Sequence, residues 1–262
     1  MEKIIINGAA IYYRKEGSGE PLVLLHGFGE DHEVFNQLVD NLSKEFLVIT
    51  PDLPGSGKSE RIPAAQTLTQ LADVLNNIIE NEKIEKFTLI GHSMGGYITL
   101  AYAEKYSGKL NKFGLFHSTA LADSEEKKAA RQKSIRFIET AGASKFMEEI
   151  IPGLFSEETN EKHSELVKKT LKKYINFHPD SLIQYYRMMI ERPDRTGVLK
   201  ESTVPVMFIF GEHDNLIPLN KGLELVKLPE YSYLEICKNS GHMGMLEEPE
   251  KCFEAIREFL YS

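Results

Sequence analysis

Residues 87–96 read Phe-Thr-Leu-Ile-Gly-His-Ser-Met-Gly-Gly, and this stretch decides the fold class. Its first four residues form a compact apolar run without polar alternation, which is typical of a strand covered on both faces of a parallel sheet. A helical pattern follows from about residue 94 to residue 106. The sequence therefore places the pattern G-x-S-x-G, centred on Ser93, at a sharp turn from strand to helix. We expect strained backbone geometry at Ser93, because such a turn confines its central residue.

Similar apolar runs and helical patterns alternate on both sides of this stretch. An opening hairpin is predicted at residues 4–13, and further strands at 22–25, 46–50, 113–116, 204–210 and 231–236. Further helices are predicted at about 34–43, 67–82, 219–227 and 249–260. Alternation of this kind predicts an α/β fold with a mostly parallel, doubly wound sheet.

Residues 119–200 interrupt the alternation. They contain no convincing strand but four helical segments, at about 124–140, 144–151, 160–175 and 180–191. An all-helical insertion into such a sheet predicts a cap over the strand ends. We therefore divide the chain into an α/β core, residues 1–118 and 201–262, and a helical cap (lid), residues 119–200.

Composition limits the classes of partner. The chain has 262 residues, a formal net charge of −8 and two cysteines. The negative charge argues against nucleic acid and against an anionic membrane surface. The sequence shows no signal-peptide core and no run of about 18 apolar residues, so we expect a cytoplasmic protein with reduced thiols at Cys237 and Cys252. Whether copies associate as a homo-oligomer is left open.

A serine nucleophile needs a general base and a third group that orients the base. The predicted strand 204–210 runs into Gly-Glu-His-Asp, which places Asp214 at its carboxyl end. The next predicted strand is followed by Asn-Ser-Gly-His-Met, which places His242 at the same edge of the sheet. Ser93, Asp214 and His242 are thus the predicted catalytic residues. Asp123, after the sixth strand, is an alternative acid that fits the chain order less well.

These motifs resemble those of the α/β-hydrolase family, and the resemblance covers nearly all of the chain outside the cap. Leu-His-Gly-Phe-Gly at residues 25–29 is similar to the family's oxyanion loop, and residues 52–59 match its D-x-x-G-x-G-x-S loop. The resemblance implies that the cap is inserted after the sixth strand, over the nucleophile. It also implies that the backbone N–H of Phe28 joins that of Met94, at the first turn of the helix, as an oxyanion donor.

The remaining candidate residues concern the pocket. We expect Phe28 and His117 to contact substrate, and His26 and His92 to hold loops. His32, His163 and His178 lie in polar or helical surroundings and are expected to be exposed. No cluster of ligand residues suggests a metal site, and no cofactor is expected.

The expected function is hydrolysis of a small carboxylic ester through an acyl-enzyme. The same residues could act on a thioester, a lactone, a peroxyacid or a carbon–carbon bond. From a different class, the fold could belong to a catalytically idle protein that binds a small ligand, since fold alone does not determine function.

Overall fold

Eight strands form one sheet in the computed structural model, which describes all 262 residues. They are β1 (Glu2–Ile6), β2 (Ala9–Glu16), β3 (Pro21–Leu25), β4 (Leu47–Pro51), β5 (Phe87–His92), β6 (Leu110–Phe116), β7 (Val206–Gly211) and β8 (Ser232–Cys237). Their order across the sheet is β1-β2-β4-β3-β5-β6-β7-β8. Only the pairs β1–β2 and β2–β4 are antiparallel. The predicted mostly parallel α/β sheet is confirmed.

Helices connect these strands. They are α1 (Asn36–Leu42), α2 (Leu68–Asn81), α3 (Met94–Tyr106), α4 (Glu125–Ala141), α5 (Ala143–Ile150), α6 (Glu157–Lys162), α7 (Ser164–Tyr174), α8 (Pro179–Ile190), α9 (Thr196–Lys200), α10 (Leu219–Leu225), α11 (Gly244–Glu247) and α12 (Pro249–Tyr261). Local sequence sets their ends: Thr67 and Gln70 form a capping box that begins α2, and Pro179 begins α8. None of the helices combines the length and the apolar character that crossing a membrane requires.

The centre of the sheet explains why its strands lack polar alternation. Every residue of β5 and β7 is buried, because helices cover both faces of the sheet there. The adjacent helix α3 is buried at every residue from Met94 to Ala103, so its first turn is fixed on all sides. The turn between β5 and α3 therefore lies in a closely packed part of the fold.

The segment between β6 and β7 contains helices and loops but no strand, and it has six α-helices rather than four. One predicted helix, at 160–175, is two helices, α6 and α7, which meet at His163. The short helix α9 was not predicted. Helix α8 contacts the loop after β4, where the hydroxyl of Tyr185 donates a hydrogen bond to the carbonyl oxygen of Pro54 at 2.8 Å.

One expectation about the histidines is wrong. His32 is buried, and its Nδ1 lies 2.7 Å from a carboxylate oxygen of Asp52, because the loop after β4 folds over it. His163 and His178 are exposed, as expected. Cys237 and Cys252 are buried neighbours whose sulfur atoms are 3.6 Å apart and not bonded.

Candidate active site

Ser93 occupies the turn between β5 and α3 with φ of 51° and ψ of −114°. A non-glycine residue at positive φ is uncommon and costs roughly 1–3 kcal/mol. The two flanking glycines permit the turn. A Cβ on Gly91 would lie 2.2 Å from the carbonyl oxygen of Gly95, and one on Gly95 would lie 2.3 Å from that of Leu25. The spacing of the motif thus follows from backbone contacts that exclude any side chain.

His242 and Asp214 meet at the carboxyl ends of β8 and β7. Nδ1 of His242 donates a hydrogen bond to Oδ2 of Asp214 at 2.7 Å. Oδ1 of Asp214 accepts the backbone N–H groups of Leu216 and Ile217 at 2.8 and 3.0 Å. Burial alone would raise the pKa of Asp214, but the charge of His242 and the hydrogen bond from its Nδ1 outweigh that effect and hold the pKa well below its usual range. The carboxylate is therefore ionised and fixes the imidazole.

The second ring nitrogen of His242, Nε2, is buried and has no hydrogen-bond partner in the protein. His242 and Ser93 line the same cavity, and no hydrogen bond joins Nε2 to the Ser93 hydroxyl in the structure. Such bonds are often long in unliganded sites and shorten when substrate is present. A base with its orienting group at Nδ1 and a free Nε2 beside a hydroxyl can accept a proton from that hydroxyl.

Two backbone N–H groups next to Ser93 also lack partners. Neither Phe28 nor Met94 donates its N–H to any acceptor in the protein. Phe28 lies in the loop after β3, which His26 stabilises: its Nδ1 donates to the carbonyl of Gly27 at 2.9 Å, and its Nε2 accepts the N–H of Leu53 at 3.0 Å. The site therefore offers two free donors on rigid backbone.

The site contains an acid that the sequence analysis missed. Glu30 is buried, and its Oε2 accepts hydrogen bonds from Nδ1 of His92 at 3.0 Å and from the N–H of Gly27 at 2.8 Å. The other ring nitrogen of His92 donates to the carbonyl oxygen of His242 at 2.9 Å. Burial disfavours the charged form of His92, but the charge of Glu30 and its hydrogen bond to His92 outweigh the effect of burial and raise the pKa of His92. The pair thus connects the loops that carry Phe28, Ser93 and His242.

The structure does not place His117 in the pocket. Its side chain is fully buried and lies behind the acid–base pair, with Nδ1 3.5 Å from Oδ2 of Asp214. The backbone of His117 has φ of 47°. The N–H of Gly211 donates a hydrogen bond to Nδ1 of His117 at 3.0 Å, and this bond holds the ring beneath the site. Burial lowers the pKa of His117 to about 4. The expectation that it contacts substrate is corrected accordingly.

The cavity that contains Ser93 and His242 has a volume of about 370 Å³. Phe28 forms one wall and stacks on Tyr186 of α8, with ring centroids 4.3 Å apart. Met189 and Leu154, from the segment between β6 and β7, also line it. Another groove of about 430 Å³, beside Arg195, contains none of the predicted site residues. No group of three or more His, Cys, Asp or Glu side chains is arranged to hold a metal ion.

Comparison with known proteins identifies the family. A family model described as the α/β hydrolase fold matches residues 20–134. A solved structure of a thermophilic esterase from Thermogutta terrifontis, with malate bound, is 30% identical, covers 100% of this chain and 98% of its own, and superposes with a TM-score of 0.95. The chain belongs to the α/β-hydrolase family.

Curated relatives of this α/β hydrolase are named for different hydrolase activities. A pimeloyl-[acyl-carrier protein] methyl ester esterase from Vibrio cholerae is 25% identical, over 95% of this chain and 98% of that protein. A 2-hydroxy-6-oxononadienedioate/2-hydroxy-6-oxononatrienedioate hydrolase from Burkholderia vietnamiensis is 26% identical, over 95% and 90%. The family membership supports a hydrolase.

Asp123, the alternative acid, lies elsewhere in this α/β hydrolase. Its carboxylate is bound by Arg131 of α4, at 2.5 Å, and by Arg192 after α8, at 2.9 Å. It makes no hydrogen bond to His242, whose Nδ1 is occupied by Asp214. The order of strands in the sequence, which favoured Asp214, agrees with this arrangement.

Proposed function

We propose that this α/β hydrolase is a serine hydrolase that cleaves a small carboxylic ester through an acyl-enzyme. The observation that carries the proposal is the unpartnered Nε2 of His242, oriented through Nδ1 by Asp214, in the same cavity as the strained Ser93. This is the arrangement that an activated serine requires. The esterases among the similar proteins favour an ester over the other bonds.

In the proposed mechanism, the Ser93 hydroxyl attacks the ester carbonyl while Nε2 of His242 accepts its proton. The free N–H groups of Phe28 and Met94 stabilise the oxyanion of the tetrahedral intermediate, and each such donor contributes roughly 2.7–4 kcal/mol. His242 then returns the proton to the departing alcohol, leaving an acyl group on Ser93. In the second half, His242 deprotonates a water molecule that attacks the acyl carbonyl, and the acid leaves as Ser93 is regenerated.

The helical segment 119–200 is proposed to act as the lid of this site. It contributes Tyr186, Met189 and Leu154 to the cavity wall, and the carbonyl oxygen of Leu154 accepts the backbone N–H of His242 at 2.7 Å. A lid of this kind excludes water and surrounds the substrate with apolar surface. The aromatic stack of Phe28 on Tyr186 joins the proposed lid to the oxyanion loop.

The experiment that tests the proposal compares wild type, Ser93→Ala and the control Ser144→Ala, which changes an exposed serine of α5. We expect wild type and the control to hydrolyse p-nitrophenyl butyrate and to react with a fluorophosphonate probe, and Ser93→Ala to do neither. Full activity of Ser93→Ala would overturn the assignment. An unreactive Ser93 in wild type, with no hydrolysis, would favour the idle ligand-binding protein. Matched thioester and lactone substrates distinguish the remaining bond types.

A further inference from the structure

Helix α4 presents a guanidinium group to the active-site cavity. Arg131 lines the cavity, and its Cζ lies 5.5 Å from the centre of the Tyr186 ring. Tyr186 in turn stacks on Phe28 of the oxyanion loop. Lys127, one turn earlier on α4, also lines the cavity, where its Nζ donates to the carbonyl of Leu216 at 3.0 Å. Two cations from the same helix face therefore border the space where substrate would bind.

The charge of Arg131 is not balanced by its ion-pair partner. Asp123 is shared between Arg131 and Arg192, so one carboxylate faces two guanidinium groups. Arg192 does not line the cavity: its Nη1 lies 2.9 Å from Asp123 and donates to the carbonyl of Met189, and its Nη2 donates to the carbonyl of Leu121. The cluster of two guanidinium groups and one carboxylate has a net charge of +1, and Arg131 is its arginine that lines the cavity.

Arg131 also has unused hydrogen-bond donors. Its Nε donates to Oδ2 of Asp123 at 2.5 Å and its Nη2 approaches Oδ1 at 3.5 Å, whereas Nη1 makes no hydrogen bond in the protein. A guanidinium carries five N–H donors in a planar fork, which suits the two oxygens of a carboxylate. The ion pair with Asp123 therefore leaves part of the donor capacity of Arg131, including both N–H groups of Nη1, unused.

The acidic groups around the cavity do not offset this charge. Glu30 lines it but is already paired with His92. Glu149 lines it from an exposed position on α5, where water screens its charge. The cavity is therefore bordered by apolar side chains and by two cations, the partly buried Arg131 and the exposed Lys127, a combination that favours an anion attached to an otherwise apolar molecule.

We propose that the substrate of this site is an ester that also carries an ionised carboxylate, bound by Arg131, such as the half-ester of a short dicarboxylic acid. This inference rests on the proposed function and specifies its substrate class. Arg131 acts here as a specificity-determining residue and takes no part in the bond-breaking steps. Hydrolysis of the half-ester would yield a dicarboxylate and an alcohol.

The test compares esters that differ only by a carboxylate in place of a methyl group. Monomethyl glutarate and methyl valerate place the charge on the acyl side, and butyryl glycolate and ethyl butyrate place it on the alcohol side. For wild type we expect kcat/KM to favour the charged ester of at least one pair by about 10-fold or more. Because a charge-assisted hydrogen bond made in both ground and transition state acts mainly on KM, Arg131→Met should lower that preference by roughly 10–100-fold through KM.

Arg136→Met is the matched control, since Arg136 is an exposed residue of the same helix and does not line the cavity. It should leave the preference at the wild-type value, and Arg131→Lys, which keeps the charge but not the fork, should retain part of it. Competitive inhibition of wild type by free glutarate, lost in Arg131→Met, gives a second readout. Equal preferences in Arg131→Met and Arg136→Met, or no wild-type preference in either pair, would overturn the inference.

Failure of this inference is distinguishable from failure of the proposed function. Hydrolysis of methyl valerate and ethyl butyrate and the reaction of Ser93 with a fluorophosphonate do not depend on Arg131 carrying a substrate anion. A wild-type enzyme that passes those two tests and shows no preference for charged esters contradicts only the assignment of Arg131. Thermal unfolding of each variant establishes that the compared proteins are folded.

Discussion

Nε2 of His92 donates a hydrogen bond to the backbone carbonyl of His242 at 2.9 Å, across 150 residues of sequence. Its Nδ1 donates to Glu30, which also accepts the N–H of Gly27. Because both ring nitrogens donate, His92 is held as an imidazolium, and the Glu30–His92 pair is a buried ion pair. The three loops that carry Phe28, Ser93 and His242 are therefore tied together at one point.

Glu30→Gln should destabilise the protein in a pH-dependent way. Burial would raise the pKa of Glu30, but the interaction with His92 outweighs burial and lowers the pKa from 4.5. The contribution of Glu30 to the free energy of unfolding is therefore present above pH 4.5 and is lost as the pH falls through the lowered pKa. The pKa of His92 is raised from 6.5, so its contribution is present below 6.5 and lost as the pH rises through the raised value. The pair should therefore stabilise the folded protein most between pH 4.5 and pH 6.5.

Urea unfolding of wild type, Glu30→Gln and the exposed control Glu148→Gln measures this effect. Removing one partner of a buried pair should cost about 3 kcal/mol near pH 6 and less near pH 9. The control should match wild type at both. A loss of stability in Glu30→Gln that is the same at the two pH values would contradict the ion-pair interpretation.

Asp214→Asn should lower kcat for p-nitrophenyl butyrate by about 10⁴-fold while the protein stays folded. An asparagine can keep the bonds from Leu216 and Ile217, but an amide that donates to Nδ1 of His242 forces the proton onto Nε2. That nitrogen could then no longer accept the Ser93 proton. Asp180→Asn, at the exposed start of α8, serves as the control. A loss of less than about tenfold in Asp214→Asn would show that this tautomer does not control the rate.

Much of this architecture is predictable from sequence because it depends on local rules. The strand–turn–helix at Ser93 requires glycines at fixed positions, and the carboxyl ends of parallel strands lie at one edge of a sheet, which brings Asp214 and His242 together. Both rules depend on short segments. They hold regardless of how the rest of the chain packs.

The parts that were missed depend on long-range packing. Glu30 stands beside Asp31 and Glu33 in a stretch that has the composition of an exposed loop, and only the fold buries it against His92, 62 residues away. Arg131 is one of several cations on α4, whose apolar periodicity is too weak to indicate which side faces a cavity. His117 follows β6 at the correct edge, but its backbone has positive φ and its ring is buried, where it accepts the N–H of Gly211.

Gly91→Ala should destabilise the protein by about 3 kcal/mol, because the added Cβ would meet backbone atoms of Gly95 and Gly96 at 2.2–2.5 Å and neither can move without distorting α3. Gly108→Ala is the matched control, since a Cβ there has no neighbour within 4 Å, and it should stay within about 0.5 kcal/mol of wild type. Chemical unfolding of the three proteins measures the difference. Equal stability of the two variants would contradict the packing argument for the motif.

His117→Gln should reduce the sensitivity of the protein to acid. Burial lowers the pKa of His117 from 6.5 to about 4, so an unfolded chain binds a proton that the folded protein excludes between those values. Its neutral form therefore contributes stability that is present above 6.5 and lost as the pH falls through about 4, and the loss attributable to this residue is roughly 3 kcal/mol. His117→Gln should be less stable than wild type at neutral pH, because it loses contacts to Asp214 and Gly211, but it should lose less stability on acidification.

Urea unfolding at about pH 7 and about pH 4.5 measures how much stability each protein loses on acidification, with the exposed His163→Gln as control. If wild type and His117→Gln lose the same free energy of unfolding between the two pH values, His117 is not the group that confers acid sensitivity.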